Sequence, residues 1–117
     1  MIAAIQPNSG YSFTVGEKEL LKTIGRESDG IVIPLWPGDG DSPNGGSDSS
    51  AETIKPSRSG KPAIRNVDKP SIVVIPPPKG VTPTGTMMLF APGGGYGSLS
   101  LPNAVDIYNW ASAIGAH

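Results

Sequence analysis

The residues best suited to chemistry lie in a glycine-rich segment, Pro92-Gly93-Gly94-Gly95-Tyr96-Gly97, which follows an apolar run beginning at Met87. Glycines let the backbone turn with positive φ and bring bare N–H groups close to an oxygen atom of a ligand. Two kinds of site use such a loop. One is a phosphate-binding site, and the other is an oxyanion hole, whose preorganised amides stabilise the negative oxygen of a tetrahedral intermediate. The segment therefore indicates a site for negative charge, either on a bound phosphate group or on the oxyanion of a transient intermediate.

The phosphate interpretation fits the details poorly. A dinucleotide-binding fingerprint needs three glycines in the pattern G-x-G-x-x-G. In the register that starts at Gly93 the third position is Ser98, and in the register that starts at Gly95 it is Ser100. The oxyanion hole is the better chemical interpretation, while a loop that only joins a strand to a helix stays open as the structural alternative.

An acyl-transfer site also needs a nucleophile and a base, and the sequence supplies neither in a known arrangement. Ser98 and Ser100 follow the glycines, but no Lys lies beyond Lys79, and the single His, His117, is the last residue. A serine needs an adjacent base to become a nucleophile. We therefore predict that Ser98 and Ser100 are loop and helix-cap residues. We predict that His117 is frayed, as chain ends usually are.

The apolar pattern places the glycine loop between a strand and a helix. The run at 86–91 is apolar on both faces, which predicts a central strand of a parallel, helix-covered sheet. Asn103 is the predicted N-cap of the helix, and the apolar residues that follow at helical spacing end at Gly115, the predicted C-cap. The other predicted elements are a short helix at 17–24 and strands at 31–36 and 71–75, with Pro34 at the edge or end of its strand.

A long loop separates the two halves of this pattern. Residues 38–62 are dense in Gly, Ser, Pro, Asp and Asn, whose local turns and side-chain hydrogen bonds compete with helix and sheet. We predict that this segment is irregular and lies on the surface. Its second half is basic but has no aromatic residue to stack on bases, so we interpret its charges as solvent-facing.

Composition excludes several classes of function. The chain of 117 residues has 9 Lys and Arg against 10 Asp and Glu, so it offers no large basic surface to a nucleic acid. With no Cys and a single His, it lacks a disulfide framework and a zinc site of thiolate and imidazole ligands. Its apolar runs are far shorter than the roughly 20 residues that cross a bilayer, and its first residues lack the basic start of a signal peptide. We predict no nucleic-acid partner, no membrane partner and no export signal.

Three segments in one order resemble a known family. They are Ile33-Pro34-Leu35-Trp36-Pro37-Gly38, the strand region at 66–77, and the Pro-Gly-Gly-Gly-Tyr-Gly loop with the helix that follows it. Together they resemble the N-terminal part of esterase-like α/β-hydrolases, a group that includes acetylxylan esterases, xylanase-associated esterases and lipase-like proteins. The resemblance covers residues 31–115 and implies an incomplete α/β-hydrolase-type sheet with a glycine-rich oxyanion loop and the first covering helix. Residues 1–30 remain unassigned, and residues 31–117 are predicted to be the N-terminal part of the hydrolase domain.

The resemblance also implies roles for residues. The Gly94 and Gly95 amides would form the oxyanion hole, and Tyr96 would line the substrate. Pro92 takes the position of the His in the His-Gly-Gly-Gly motif of lipases. The implied substrate is an acylated carbohydrate such as acetylated xylan, cleaved through a serine acyl-enzyme without a metal or organic cofactor. Family members are often exported, and they commonly have an acidic residue followed by Gly where this chain has residues 101–104.

The catalytic half of such an enzyme is absent from these residues. α/β-Hydrolases place the nucleophile on a later Gly-x-Ser-x-Gly elbow followed by an acid and a His, and a complete domain needs roughly 200 to 250 residues. We therefore expect this chain alone to be inactive and to self-associate through an unpaired sheet edge. The alternative is a non-catalytic truncated or degenerate product, or a small binding module. Trp36 and Trp110 are predicted to pack in the core or at a sheet edge.

Overall fold

The computed structural model describes residues 12–36, 52–67, 69–95 and 98–117 of the chain. These residues form α1 (Val15–Ile24), β1 (Ile31–Pro34), β2 (Thr53–Pro56), β3 (Pro62–Arg65), β4 (Ser71–Val74), β5 (Leu99–Ser100) and α2 (Leu101–Ala113). β1 pairs with β4, and β2, β3 and β5 form a second sheet in that order. The described residues are thus mixed α and β in two small sheets, and the single α/β-hydrolase-type sheet stays a prediction.

The helix predicted in the first part of the chain is confirmed as α1, and reciprocal hydrogen bonds fix its start. The Glu17 N–H donates to the Thr14 hydroxyl over 3.3 Å, and the Thr14 N–H donates to the Glu17 carboxylate over 3.2 Å. This capping box satisfies two amides that a helix start otherwise leaves without partners. The helix ends at its Gly25 cap, and Leu21 on its inner face is fully buried.

A buried arginine connects the end of α1 to α2. The Arg26 side chain donates to both carboxylate oxygens of Asp29 and, over 3.0 Å, to the Tyr108 hydroxyl. Only 9% of the Arg26 side chain is exposed, against 46% for Asp29. The Arg26 guanidinium lowers the pKa of Asp29, and the Asp29 carboxylate holds the pKa of Arg26 above its usual range. Because Tyr108 lies on α2, these charge-assisted hydrogen bonds fix the two helices relative to each other.

Two of the predicted strands are confirmed as β1 and β4, which pair in antiparallel with Ile33 opposite Ile72. The Leu35 N–H donates to the Pro70 carbonyl over 3.0 Å and extends the ladder by one pair. Pro34 is the last residue of β1 and lies at a non-hydrogen-bonded position opposite Ser71, so its missing N–H leaves the ladder with β4 intact. Each strand of this sheet has one edge that pairs with no other strand of the described residues.

The prediction that residues 38–62 are irregular is wrong for the part that forms β2. β2 pairs in antiparallel with β3, with Ile54 opposite Ile64, and a hydrogen-bonded turn at 57–61 closes the hairpin. The physical reason is this cross-strand pair of isoleucines, which stabilises two short strands within a segment rich in turn-forming residues. The part of the predicted loop up to residue 51 lies outside the described residues.

The prediction of a central strand at 86–91 is wrong. These residues belong to neither sheet. Met87 and Leu89 expose 67% and 79% of their surfaces, where a central strand would bury both. A strand is central only when other strands flank it on both sides, and within the described ranges no assigned strand pairs with these residues. We call residues 86–90 the edge segment.

One end of the edge segment has a backbone partner at His117. The His117 N–H donates to the Thr86 carbonyl, and the Met88 N–H donates to the His117 carbonyl, each over 2.9 Å. The prediction of a frayed His117 is therefore wrong, because two backbone hydrogen bonds hold this residue and leave it half-buried.

α2 confirms the helix predicted after the glycine loop, but its start differs from the prediction. The helix begins at Leu101 with Ser100 as its N-cap, and not at Asn103. The reason is Pro102, which suits the first turn of a helix, where no N–H is needed for the ladder. α2 packs against α1 and β3, and it buries Leu101 and Ala111.

The end of α2 approaches the chain that leads into the edge segment. Its C-cap is Ile114, one residue before the predicted Gly115, and Gly115 follows with a left-handed φ of 79°. A Cβ on Gly115 would lie 2.3 Å from the Thr82 carbonyl oxygen. The Gly115 carbonyl accepts a hydrogen bond from the Thr84 N–H over 3.0 Å. Glycine at this position therefore permits an approach that any side chain would block.

We expect part of the acid sensitivity of this chain to come from Asp29. The pKa of Asp29 is lower in the folded chain than in the unfolded chain, so its stabilising contribution is present above about pH 5 and is lost as the pH falls through the folded value. Asp29→Asn removes that contribution. The loss of unfolding free energy between neutral pH and about pH 2, measured by urea unfolding, should be smaller in the variant than in the parent chain.

A matched control is Asp106→Asn, an isosteric change at an exposed position of α2. This control should retain the pH dependence of the parent chain. The role given to Asp29 fails if Asp29→Asn and Asp106→Asn lose the same stability on acidification.

Candidate functional site

The glycine loop is closed at its base by a backbone hydrogen bond. The Ser100 N–H donates to the Gly93 carbonyl over 2.8 Å. Ser100 also belongs to β5, where it lies opposite Ala63 of β3. One side of the loop is thus fixed to the second sheet, while the other side continues from the edge segment. Tyr96, predicted to line the substrate, lies outside the described residues, as does Gly97.

The geometry of the loop explains the two glycines that the sequence analysis assigned to the oxyanion hole. A Cβ on Gly94 would lie 1.5 Å from the Ser98 carbonyl oxygen, and Gly95 has a left-handed φ of 59°. Both residues are exposed. Within the described part of the chain, neither N–H donates a hydrogen bond. Neither amide therefore has an acceptor among the described residues.

The described residues do not assemble a catalytic group around these amides. Ser98 lies in the loop and Ser100 is the N-cap of α2, so the predicted loop and cap positions are confirmed. Among the described residues, no hydrogen bond joins the His117 side chain to either serine. Among the described residues, neither serine therefore has a base that activates it.

A cavity of about 300 Å³ adjoins the loop. It is bounded by residues 71–75, by most of the edge segment and by the inner face of α2, and we call it the slot. Most of its lining side chains are apolar, and they include Ile72, Val73, Val74, Met88, Leu89, Phe90, Ile107, Tyr108 and Ala111. Pro92 and His117 also line it, so the slot connects the glycine loop to the end of the chain.

Two carboxylates that the sequence analysis did not single out line the same slot. Glu17 is 6% exposed and accepts a hydrogen bond from the Ser71 hydroxyl over 3.4 Å. Glu52 accepts from the Gly16 N–H over 2.7 Å. Both carboxylates bind the start of α1, where the helix dipole favours negative charge, so they act as helix-stabilising groups. The capping-box spacing of Thr14 and Glu17 is the signal that identifies one of them from sequence.

The prediction of packing in the core or at a sheet edge is wrong for Trp110, which lies on α2 and exposes 54% of its surface. It precedes the buried Ala111 on α2, and consecutive helical residues point about 100° apart, so only one of the two faces the core. Trp36 lies just beyond β1 with 37% of its surface exposed, which fits the predicted position at a sheet edge.

The described residues include no cluster of three or more His, Asp and Glu that could hold a metal ion. None of their helices has the length and apolarity that crossing a membrane demands. Comparison with protein-family models, curated proteins and solved structures found no match to this chain. The esterase resemblance therefore depends on the sequence segments that carry it.

We expect Gly94→Ala to disrupt the glycine loop and Gly93→Ala to leave it intact. A methyl group on Gly94 collides with the Ser98 carbonyl, whereas no atom of the described residues lies within 4 Å of a Cβ on Gly93. Overpacking of this kind costs about 1 to 3 kcal/mol. Urea unfolding should show the loss in the first variant only, and hydrogen exchange at the Ser100 N–H should be faster only there. Equal unfolding curves for the two variants would refute this account of Gly94.

We also expect the chain to self-associate through the edge segment, because exposed apolar side chains and an open backbone edge both favour pairing. Leu89→Lys places a charge on this edge and should shift the chain toward monomer in light scattering over a range of concentrations. Asn103→Lys, at an exposed position of α2, is the control and should associate like the parent chain. Association that Leu89→Lys leaves unchanged would assign the contact to another surface.

Proposed function

We propose that this chain is the N-terminal part of a carboxylic-ester hydrolase of the α/β-hydrolase type that acts on acylated carbohydrates such as acetylated xylan. The observation that carries the proposal is the pair of exposed residues Gly94 and Gly95, whose N–H groups lack a hydrogen-bond partner among the described residues. The loop that holds them joins an apolar segment to the start of a helix. The substrate class comes from the family resemblance.

In the proposed mechanism a serine attacks the ester carbonyl, and the carbonyl oxygen gains negative charge as a tetrahedral intermediate forms. The Gly94 and Gly95 N–H groups donate hydrogen bonds to that oxygen. Collapse of the intermediate releases the alcohol of the carbohydrate and leaves an acyl-enzyme. Water then hydrolyses the acyl-enzyme through a second tetrahedral intermediate, which the same amides stabilise. Tyr96 lines the substrate in this proposal, as the resemblance implies.

The nucleophile and the base of this reaction come from outside these 117 residues in the proposal. Ser98 and Ser100 lack a neighbouring base in the described part of the chain. An α/β-hydrolase carries its nucleophile on a Gly-x-Ser-x-Gly elbow, with an acid and a His after it. In this proposal the chain supplies the preorganised N–H donors, and the elbow supplies the serine whose attack on the ester carbonyl forms the oxyanion.

The exposed tryptophans favour a second candidate, a small non-catalytic binding module. An indole ring offers a large apolar face together with one N–H donor, and Trp110 presents more than half of its surface to solvent. This candidate needs no nucleophile. It predicts that a ligand binds to the 117-residue chain and is not turned over.

We expect the 117-residue chain to hydrolyse neither p-nitrophenyl acetate nor acetylated xylan above the buffer background. An oxyanion hole without nucleophile and base retains only residual catalysis. The control is the double variant Ser98→Ala and Ser100→Ala, whose rate should equal that of the parent chain. Turnover that either single change abolishes would show that one of these serines is a nucleophile after all.

The experiment that tests the esterase proposal uses the polypeptide translated through the codons that follow His117. It should contain a Gly-x-Ser-x-Gly elbow within about a hundred residues and should hydrolyse acetylated xylan. Gly95→Ala keeps the N–H but strains the left-handed backbone at this position, so it should displace one oxyanion donor and lower kcat by a factor of up to about 100. Gly80→Ala is the matched control, because Gly80 is also left-handed and also has open space around its Cβ position.

Two outcomes would overturn the esterase proposal. One is a reading frame without such an elbow, and the other is a longer polypeptide that folds and binds xylan fragments without releasing acetate. Either outcome favours the binding module.

A further inference from the structure

The sheet of β2, β3 and β5 has one apolar face, which points to the helices. Its strands are antiparallel, so directly paired residues share a face and successive residues alternate between the two faces. Ile54, Ile64 and Leu99 form one row across the three strands. A Cβ on Gly16 of α1 would lie 3.0 Å from the Ile64 side chain, and Ile64 and Leu99 line the slot. This row therefore marks the inner face.

The opposite face of the sheet carries three cations. Lys55 of β2 lies opposite Ala63 of β3. Lys61 immediately precedes β3, and its carbonyl accepts a hydrogen bond from the Ser57 N–H over 2.7 Å, so Lys61 continues the same ladder. Because Lys61, Ala63 and Arg65 are alternate residues, they share the face of Lys55. Long side chains reach such diagonal neighbours across a strand pair. We call Lys55, Lys61 and Arg65 the cation face.

The cation face has no negative counterpart in the part of the chain that the structure describes. Among those residues, none of its three side chains makes an ion pair. Lys55 and Lys61 are exposed, and Arg65 is half-buried. The carboxylate of Glu52, just before β2, accepts a hydrogen bond from the Gly16 N–H and so lies on the inner side of the sheet. A group of like charges without counter-charges attracts anions from solution.

The cation face continues to the glycine loop through β5. Ser100 lies opposite Ala63 on the same face, and its N–H donates to the Gly93 carbonyl. Thr53 and Ser57 also share this face, because they pair with Arg65 and Lys61 of the cation face. A hydroxyl group both donates and accepts hydrogen bonds, as the hydroxyls of a sugar do. The face thus combines cations and hydroxyl groups beside the candidate site.

We propose that the cation face binds the carboxylates of an acidic polysaccharide, whose chain carries uronic acid groups and runs from this face toward the glycine loop. Lys55 and Lys61 attract the carboxylates as point charges, and the Arg65 guanidinium offers two parallel donors to one carboxylate. The choice of a carbohydrate rests on the proposed function, whose substrate becomes an acylated polysaccharide that is also acidic. The binding itself requires no catalysis.

The chemistry of the face favours a polysaccharide over a nucleic acid. Proteins that bind single-stranded nucleic acids place aromatic side chains among their cations, and the bases stack on them. None of the residues that the ladder places on this face is aromatic. The chain as a whole has a net charge of -1, so its basic surface is local. Three cations with flanking hydroxyls suit a polymer of widely spaced carboxylates.

The test measures binding of the 117-residue chain to polygalacturonate, a linear polyuronate, by titration calorimetry. The methyl ester of the same polymer is the matched ligand, because it keeps the sugar chain and removes the charge. The polyuronate should bind at least about tenfold more tightly than the ester. Its affinity should fall between about 10 mM and about 150 mM salt, since salt screens exposed charges.

The variant that tests the position of the site is Lys55→Gln with Lys61→Gln, which should weaken polygalacturonate binding about tenfold. The matched control is Lys18→Gln with Lys22→Gln, which removes two charges from exposed positions of α1. Both double variants have the same net charge, and the control should bind like the parent chain. Circular dichroism checks that both variants are folded.

Several outcomes would overturn the inference. No binding of polygalacturonate, or equal affinity for its ester, would show that carboxylates are not recognised. Equal weakening in the two double variants would assign binding to the overall charge of the chain. Tighter binding of a single-stranded oligonucleotide or of polyglutamate would identify a different class of partner. Polyuronate binding in a chain whose longer form lacks esterase activity would refute the proposed function alone, and activity without such binding would refute this inference alone.

Discussion

The backbone pairing of residues 115–117 with residues 84–88 is the constraint on which the rest of the arrangement depends. It returns the chain to the side of the edge segment after α2, with the Gly115 carbonyl accepting from Thr84 and His117 bonded to Thr86 and Met88. The glycine loop must then connect the edge segment to β5 and α2, and the chain after α2 is already fixed beside the edge segment. Because Tyr108 of α2 also accepts a hydrogen bond from Arg26, the same pairing positions α1 as well.

The glycine loop is held from a second direction by the small sheet. β5 contributes only two residues, but they pair with β3, and the Ser100 N–H closes the loop at Gly93. The hairpin of β2 and β3 therefore has a structural role in the site, although it lies far from the loop in sequence. A site formed by backbone amides needs this kind of support, because amides stabilise an oxyanion only when they are fixed before the reaction.

Local signals predicted the elements that local interactions stabilise. The capping box at Thr14 and the cap at Gly25 define α1, and the β-branched runs define β1 and β4. The sequence failed where the outcome depends on a distant partner. The apolar run at 86–91 shows a need for burial, but whether it becomes a central strand depends on what pairs with its two edges. The hairpin of β2 and β3 depends on Ile54 meeting Ile64, which no local pattern reports.

The candidate site also has one part that a local sequence signal predicts and another part that depends on tertiary contacts. The glycine cluster identified the loop, because glycine is needed wherever a backbone must turn or come close to another atom. Only the structure shows that the Gly94 and Gly95 amides have no partner among the described residues and that Pro92, at the start of their loop, lines the slot. The buried Glu17 was missed because its capping role is structural and its proximity to Ser71 is a tertiary contact.

The three consecutive positions Gly93, Gly94 and Gly95 differ in whether the fold requires glycine there. The Ser98 carbonyl leaves no room for a side chain at Gly94, and Gly95 has a left-handed φ. Gly93 meets neither condition: its φ is not left-handed, and its Cβ position is empty among the described residues. The fold thus accounts for glycine at Gly94 and Gly95, whereas the described residues give neither a steric nor a conformational reason for glycine at Gly93. An apolar run followed by three glycines therefore identifies the loop from sequence, but it does not tell which of the three positions the chain geometry restricts to glycine.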